Sequence, residues 1–220
     1  MRRIIALFVL SCALLGCASS GAGSPDDPQP ARKKRKHANH AGSLKFHEFK
    51  GEEPTTKPKG KIKGEGIKLV DAKGKDVELS SLLGKPLVLV FMRGFAGTVC
   101  PYCTSYTAQM ASRYDEFTAA GAEILIVYPT REEDREQVKT FVEIVDEILA
   151  EEGQASIPFP VYLDLGVKVV KHYNLVGDLS KPSTFVLDPS GKIRYLYVGR
   201  DADDRPSLGR VLAEVKKLQP

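Results

Sequence analysis

Pro86-Leu87-Val88-Leu89-Val90-Phe91-Met92, a loop from Arg93 to Val99, and then Cys100-Pro101-Tyr102-Cys103 form the stretch on which the reading of this chain turns. The first segment is apolar without alternation, the pattern of a strand buried on both faces. After the second cysteine, Tyr106, Met110, Tyr114 and Phe117 recur at helical spacing. Strand, loop, paired cysteines and helix is the arrangement that thiol–disulfide chemistry needs. A helix N-terminus turns unpaired N–H groups and a positive dipole end toward the first sulfur, which favours thiolate. Pro101 suits the first helical turn, where its missing N–H costs nothing. Cys103 follows one turn later, within reach of a disulfide.

Upstream, Ile67–Val70 and Val77–Leu79 read as short strands joined through Asp71-Ala72-Lys73-Gly74-Lys75, and Ser80 as the cap of a helical turn, Ser81–Leu83. Downstream, Gly121 ends the cysteine-bearing helix and Glu123–Tyr128 is a second apolar strand. Thr130 and Glu133 match a capping box for a helix with Val138, Phe141, Val142, Val145, Ile148 and Leu149 on one face. Val161–Asp164 is a strand, Leu165–Tyr173 a helix and Lys181–Asp188 a strand. Pro189-Ser190-Gly191-Lys192 turns that strand into Ile193–Val198 as an antiparallel hairpin, and Pro206 opens a last helix. The order β–β–β–α–β–α–β–α–β–β–α predicts an α/β domain with a mixed central sheet and helices on both faces.

The chain has 220 residues, 42% apolar and 27% charged, with a net charge of +4. Its cysteines fall into two pairs, Cys12 and Cys17 near the start and Cys100 and Cys103 in the domain, so no disulfide-stapled scaffold is expected. Arg2-Arg3 and the short apolar run Ile4–Leu15 read as an export signal too short to span a bilayer. Residues 18–65 are rich in Gly, Pro, Ser and Lys and read as a flexible basic linker, leaving 66–220 as the globular domain. Arg32-Lys33-Lys34-Arg35-Lys36-His37 reads as a solvated basic tether near anionic lipid or cell-wall polymer rather than as a nucleic-acid site. His37, His40 and His47 are too irregularly spaced for a metal site.

Leu14-Leu15-Gly16-Cys17 resembles a bacterial lipobox, in which Cys17 would be lipidated and become the N-terminus, making 1–17 a lipoprotein signal. Ala18, by the enterobacterial sorting pattern, implies an outer-membrane anchor with the domain facing the periplasm. The domain resembles the thioredoxin-like redoxin superfamily, in particular peroxiredoxins of the alkyl hydroperoxide reductase/thiol-specific antioxidant type and membrane-anchored thioredoxin-like reductases. Asp71–Pro86, Phe91-Met92-Arg93-Gly94, Cys100-Pro101-Tyr102-Cys103, Pro182-Ser183-Thr184-Phe185-Val186-Leu187-Asp188 and Asp204-Arg205-Pro206 carry the resemblance. Pro182 matches the cis-proline that packs beside the dithiol in such reductases. Two departures bear on peroxide chemistry. The peroxiredoxin pattern P-x-x-x-[T/S]-x-x-C falls on Arg93 and Gly97, with Thr98 one residue late, and Pro182 stands where an arginine often does.

The resemblance implies a thiol–disulfide oxidoreductase in which Cys100 attacks and Cys103 resolves the mixed disulfide. Pro182 would shape the site, and Thr98 or Arg93 would lower the Cys100 pKa. Peroxide reduction through a Cys100 sulfenic acid is the alternative. A further alternative is a metal-binding assembly factor of the same fold, although those space their cysteines C-x-x-x-C. His172 reads as a solvated helix residue. The expected partners are a disulfide, dithiol or peroxide substrate, an electron-donating thiol protein and a membrane. No metal is expected, and no cofactor, since no G-x-G-x-x-G follows a strand to mark a nucleotide or flavin site.

Overall fold

The computed structural model describes residues 47 to 219, apart from 56 and 58. The leader, Cys17 and most of the basic linker lie outside the described residues. Seven strands form one sheet: β1 (Lys68–Val70), β2 (Asp76–Glu78), β3 (Leu87–Phe91), β4 (Glu123–Thr130), β5 (Val161–Leu165), β6 (Ser183–Leu187) and β7 (Ile193–Val198). Their order is β2-β1-β5-β4-β3-β6-β7. β3 pairs parallel with β4 and antiparallel with β6, so its backbone is satisfied on both sides and all its residues are buried. β4 pairs parallel with β5, while the β6–β7 hairpin closes one edge and the short β1–β2 pair the other. The expected mixed sheet is present.

Among the described residues five α-helices accompany the sheet: α1 (Pro101–Ser112), α2 (Tyr114–Ala119), α3 (Gln137–Ala150), α4 (Lys168–His172) and α5 (Leu208–Lys216). Side chains of β3 alternate between two cores, as the period of a strand requires. Val88 and Val90 join Cys100, Cys103 and Tyr106 of the α1 region, Phe117 of α2, Phe141 of α3 and Val211 of α5. Leu87, Leu89 and Phe91 face Leu79, Val169, Val170, Phe185 and Leu187. Helices therefore lie on both faces, unequally, with α4 and a 3₁₀ turn at Leu79–Leu82 on the thinner side.

Several local expectations are corrected. The helix after the cysteines breaks at Arg113, whose φ of −110° and ψ of 13° separate α1 from α2. Thr130 is no helix cap: β4 runs through it, and a 3₁₀ turn at Glu132–Asp134 precedes α3. α4 is shorter than expected, because Gly166 and Val167 both take positive φ. Its free N–H groups go instead to Asp164 of β5, whose carboxylate accepts from Val169 N (3.0 Å) and Val170 N (2.9 Å). Ser80 lies inside its turn rather than capping it, and Ser207, not Pro206, starts α5 by accepting from Arg210 N at 3.1 Å.

Composition places residues 47–65 in the flexible linker, yet the described part of them packs against the domain. Phe49 is 5% exposed and Ile62 1%. Gly51 N donates to Arg205 O (3.0 Å), Ser207 N to Gly51 O (2.7 Å), and Thr55 Oγ1 exchanges hydrogen bonds with the backbone of Val198. Ile62 N donates to Gly191 O at 2.8 Å. Two isolated apolar side chains among polar residues carry no periodicity, but each finds a hydrophobic recess against the sheet.

Candidate functional site

The site forms where β3 ends. The antiparallel register sets Phe91 opposite Ser183, so Pro182 stands at the same end of the sheet as Met92 and the loop that leads to Cys100. Pro182 is buried, its carbonyl accepts from Gly199 N (2.7 Å), and having no N–H it offers no donor there. The loop turns at Gly94, whose φ is +83° and where an added Cβ would lie 2.1 Å from Pro129 O on the neighbouring strand. Only glycine lets the two backbones approach so closely.

Cys100 is the N-cap residue of α1 and its carbonyl accepts from Cys103 N (3.1 Å) and Thr104 N (3.2 Å). Both cysteines are free thiols, buried to 1% and 0% exposure, and they hydrogen-bond each other. The start of α1 brings Cys100 and Cys103 together, and the β3–β6 register sets Pro182 at the same end of the sheet. Thr98 is not part of it: its side chain is exposed and makes no hydrogen bond among the described residues. The Arg93 side chain is held by Asp178 at the surface, although its charge still acts on Cys100 and Cys103.

Among the described residues, the charged side chain that hydrogen-bonds to sulfur is Arg205, within the Asp204-Arg205-Pro206 stretch. Arg205 is 2% exposed, and its Nη2 donates to Cys103 Sγ at 3.2 Å. Its Nη1 lies 3.9 Å from Met92 Sδ, and its guanidinium carbon sits 5.4 Å from the Tyr106 ring centre and 5.9 Å from that of Phe49. No carboxylate pairs with it among the described residues. Nothing in the sequence marks an arginine so far along the chain as a neighbour of Cys103; only the return of the chain after β7 brings it there.

The two sulfurs are consequently unequal. Burial works against charge on Cys103, but the hydrogen bond from the Cys100 thiol, the charge of Arg205 and the backbone N–H groups of Arg93 and Gly94 outweigh it and bring its pKa down to about 6. Cys100, where the helix N-terminus is expected to favour thiolate, is instead pushed up, first by its hydrogen bond to Cys103, then by burial and by repulsion from the Cys103 sulfur, which outweigh the charge of Arg205. Tyr128, on β4 behind the pair, is also pushed up by burial, and its hydroxyl finds no partner among the described residues. Among the described residues no cluster of three or more His, Cys, Asp or Glu converges on one point, and His172 lies on α4 away from the pair. A groove of about 750 Å³ between the β1–β2 turn, α3 and β5 is lined by none of these residues.

Paired thiols at the start of the helix that follows the central strand of such a sheet define a thioredoxin-like redox domain. The AhpC/TSA family model matches residues 62–196, more than half of the chain, and the chain belongs to that family. It is 31% identical over 154 residues to "Peroxiredoxin Q, chloroplastic" of Triticum aestivum, covering 68% of this chain and 63% of that protein. It is 30% identical over 137 residues to "Thiol-disulfide oxidoreductase ResA" of Bacillus cereus, covering 62% and 68%. The match thus spans less than two thirds of the wheat protein. Among solved structures, Peroxidoxin BcpB from Mycobacterium tuberculosis superposes with a TM-score of 0.55 at 22% identity, covering 76% of this chain and 99% of that one. An uncharacterized thioredoxin-like protein from Porphyromonas gingivalis gives 0.51 at 20%, covering 73% and 94%. These two likenesses show the fold.

Proposed function

We propose that this protein is a thiol–disulfide oxidoreductase working through Cys100 and Cys103, tethered to a bacterial envelope membrane by a lipid on Cys17. The observation that carries the reading is the pair of free, mutually hydrogen-bonded thiols at the start of α1. The family membership and the relatives named for both activities support it.

In the reducing direction, the Cys100 sulfur gives up its proton and attacks one sulfur of a substrate disulfide. The enzyme–substrate S–S bond forms as the substrate S–S bond breaks, and the expelled substrate thiolate takes a proton. Cys103 then attacks the Cys100 sulfur, closing the enzyme disulfide and releasing the second substrate thiol. Two electrons pass from the dithiol to the substrate. A dithiol partner reverses the sequence, so the same site can oxidise. Pro182 shapes the cleft beside the sulfurs. The N-terminal segment supports the anchor: an apolar run ends at Gly16-Cys17, and a basic stretch follows it.

Peroxide reduction is the second reading, favoured by the peroxiredoxin Q relative. Arg93 and Gly97 at the positions of the peroxidase pattern weigh against it. The test is to reduce the protein and follow its oxidation by a disulfide dye and by hydrogen peroxide in parallel, with Cys100→Ser and Cys103→Ser as controls. Rapid exchange with the dye and slow reaction with peroxide, both lost in Cys100→Ser, are expected. Rapid Cys100-dependent peroxide consumption would transfer the assignment to peroxidase, and reactivity no greater than that of a free thiol would remove the catalytic role altogether.

A further inference from the structure

We infer that Arg205 is a positioning residue that holds the negative charge of the reduced dithiol on Cys103, making Cys103 the proton acceptor for Cys100 and poising the couple as an oxidant of dithiols. The inference rests on the redox role proposed for the pair. It begins with the guanidinium, which never deprotonates in a protein. A cation at 2% exposure is unfavourable unless an anion answers it. The only group of the described residues that hydrogen-bonds to it and can become an anion is Cys103 Sγ, at 3.2 Å. Met92 Sδ is a weak neutral acceptor, and the Phe49 and Tyr106 rings add cation–π contact without a negative charge.

The surroundings of Cys103 point the same way. Its sulfur receives Arg205, the N–H groups of Arg93 and Gly94, and the Cys100 thiol. A site made of donors suits an acceptor-only thiolate. Cys100 faces a different field: the charge of Arg205 and the N–H of Cys103 favour its thiolate, but Arg205 donates its hydrogen bond to Cys103 rather than to Cys100, and the Cys103 sulfur beside it opposes charge. The reduced pair is therefore one thiol and one thiolate. When Cys100 attacks a substrate sulfur, its proton passes along the S–H···S hydrogen bond to Cys103. The Cys103 thiol then yields that proton to the departing substrate thiolate as it closes the enzyme disulfide.

The oxidised state has a different balance. Once Cys100 and Cys103 are joined, the sulfur facing Arg205 carries no charge and the buried cation is left without an anion. Stabilisation of the thiolate together with destabilisation of the disulfide shifts the couple toward reduction, the logic by which a strong disulfide oxidant holds its potential. Reduction of the enzyme disulfide by a small dithiol then consumes the dithiol and yields Cys100 thiol, Cys103 thiolate, the small-molecule disulfide and one proton. Without Arg205 the product is two thiols and no proton is released.

Proton release gives a readout that loss of packing alone does not imitate. In the full-length protein, the equilibrium between the Cys100–Cys103 disulfide and dithiothreitol is measured at pH 7 and pH 8. The wild-type equilibrium constant is expected to rise about tenfold per pH unit, equivalent to about 30 mV for this two-electron couple. In Arg205→Met it is expected to be flat with pH and at least tenfold lower at pH 8. Thiolate absorbance in Cys100→Ser supplies the second measurement, where Cys103 titrates below an ordinary thiol, whereas in Cys103→Ser the Cys100 thiol does not. A wild-type constant independent of pH, or Cys103 titrating as an ordinary thiol, overturns the inference even if Arg205→Met does not fold. Failure of the two cysteines to form a disulfide at all would instead remove the redox reading on which it rests.

Discussion

Replacing Phe49 by alanine tests whether the strap formed by the described residues 47–55 belongs to the folded domain. Its ring is 5% exposed, stands edge-on to Tyr106 with centroids 4.8 Å apart, and covers the Arg205 guanidinium at 5.9 Å. Truncating a core phenylalanine costs about 3–5 kcal/mol, and the edge-to-face contact contributes about 1 kcal/mol of its own. The strap is also tied by Gly51 N to Arg205 O and by Ser207 N to Gly51 O, so it can detach without unfolding the sheet. That escape limits the loss to the free energy of docking the strap, and we expect about 3 kcal/mol. With a urea slope of about 2 kcal/mol per M, the unfolding midpoint of the full chain should fall by about 1.5 M. Amide exchange at Gly51 and Ser207 should accelerate before that of β3. A loss below about 1 kcal/mol with unchanged exchange would refute the account, because it would mean that the strap rests on the domain without contributing to its core.

Gly94→Ala forces a Cβ to within 2.1 Å of Pro129 O at a φ of +83°. We expect a loss of roughly 2–4 kcal/mol, read by thermal unfolding, together with slower reaction of the dithiol because the Gly94 N–H at Cys103 is displaced. The stability of the reduced protein should also follow pH in a defined way. Cys103 is held at about 6 against an ordinary 9.0, while Cys100 is raised. Between those values the unfolded chain binds two protons and the folded pair one, so stability rises with pH from about 6 to 9. Above 9 the unfolded thiols lose both protons while the folded pair keeps one, and stability falls. Denaturant titrations of reduced wild type and of the Cys100→Ser, Cys103→Ser double variant should differ by this bell-shaped profile; matching profiles would contradict the unequal pair.

Much of the architecture was legible because hydrophobic period reports burial directly. The unbroken run Leu87–Phe91 could only be a central strand, and the stripe from Val138 to Leu149 only a packed helix. The cysteine spacing placed both sulfurs at one helix start. Local punctuation was read less well. Thr130 and Glu133 satisfy the pattern of a capping box, yet the pairing of Thr130 with Leu165 extends β4 through the position where the cap would stand. Asp164, four residues ahead of α4, took the capping role that no local pattern assigned to it. Here tertiary pairing outweighed a preference worth about 1 kcal/mol.

The sequence by itself determined the chemistry on offer: two thiols a turn apart behind a buried strand, on a mixed sheet whose parallel part follows from the alternation of strands and helices. Periodicity and spacing are local properties, and they are written in consecutive residues. Which sulfur carries charge was decided only by tertiary structure. Arg205 reaches Cys103 from 102 residues away because β7 returns along β6 and the chain then crosses toward α1. Phe49 reaches the same guanidinium from the other end of the domain. An electric field at a buried atom sums charges by distance in space, so the residues that set it can stand anywhere along the chain.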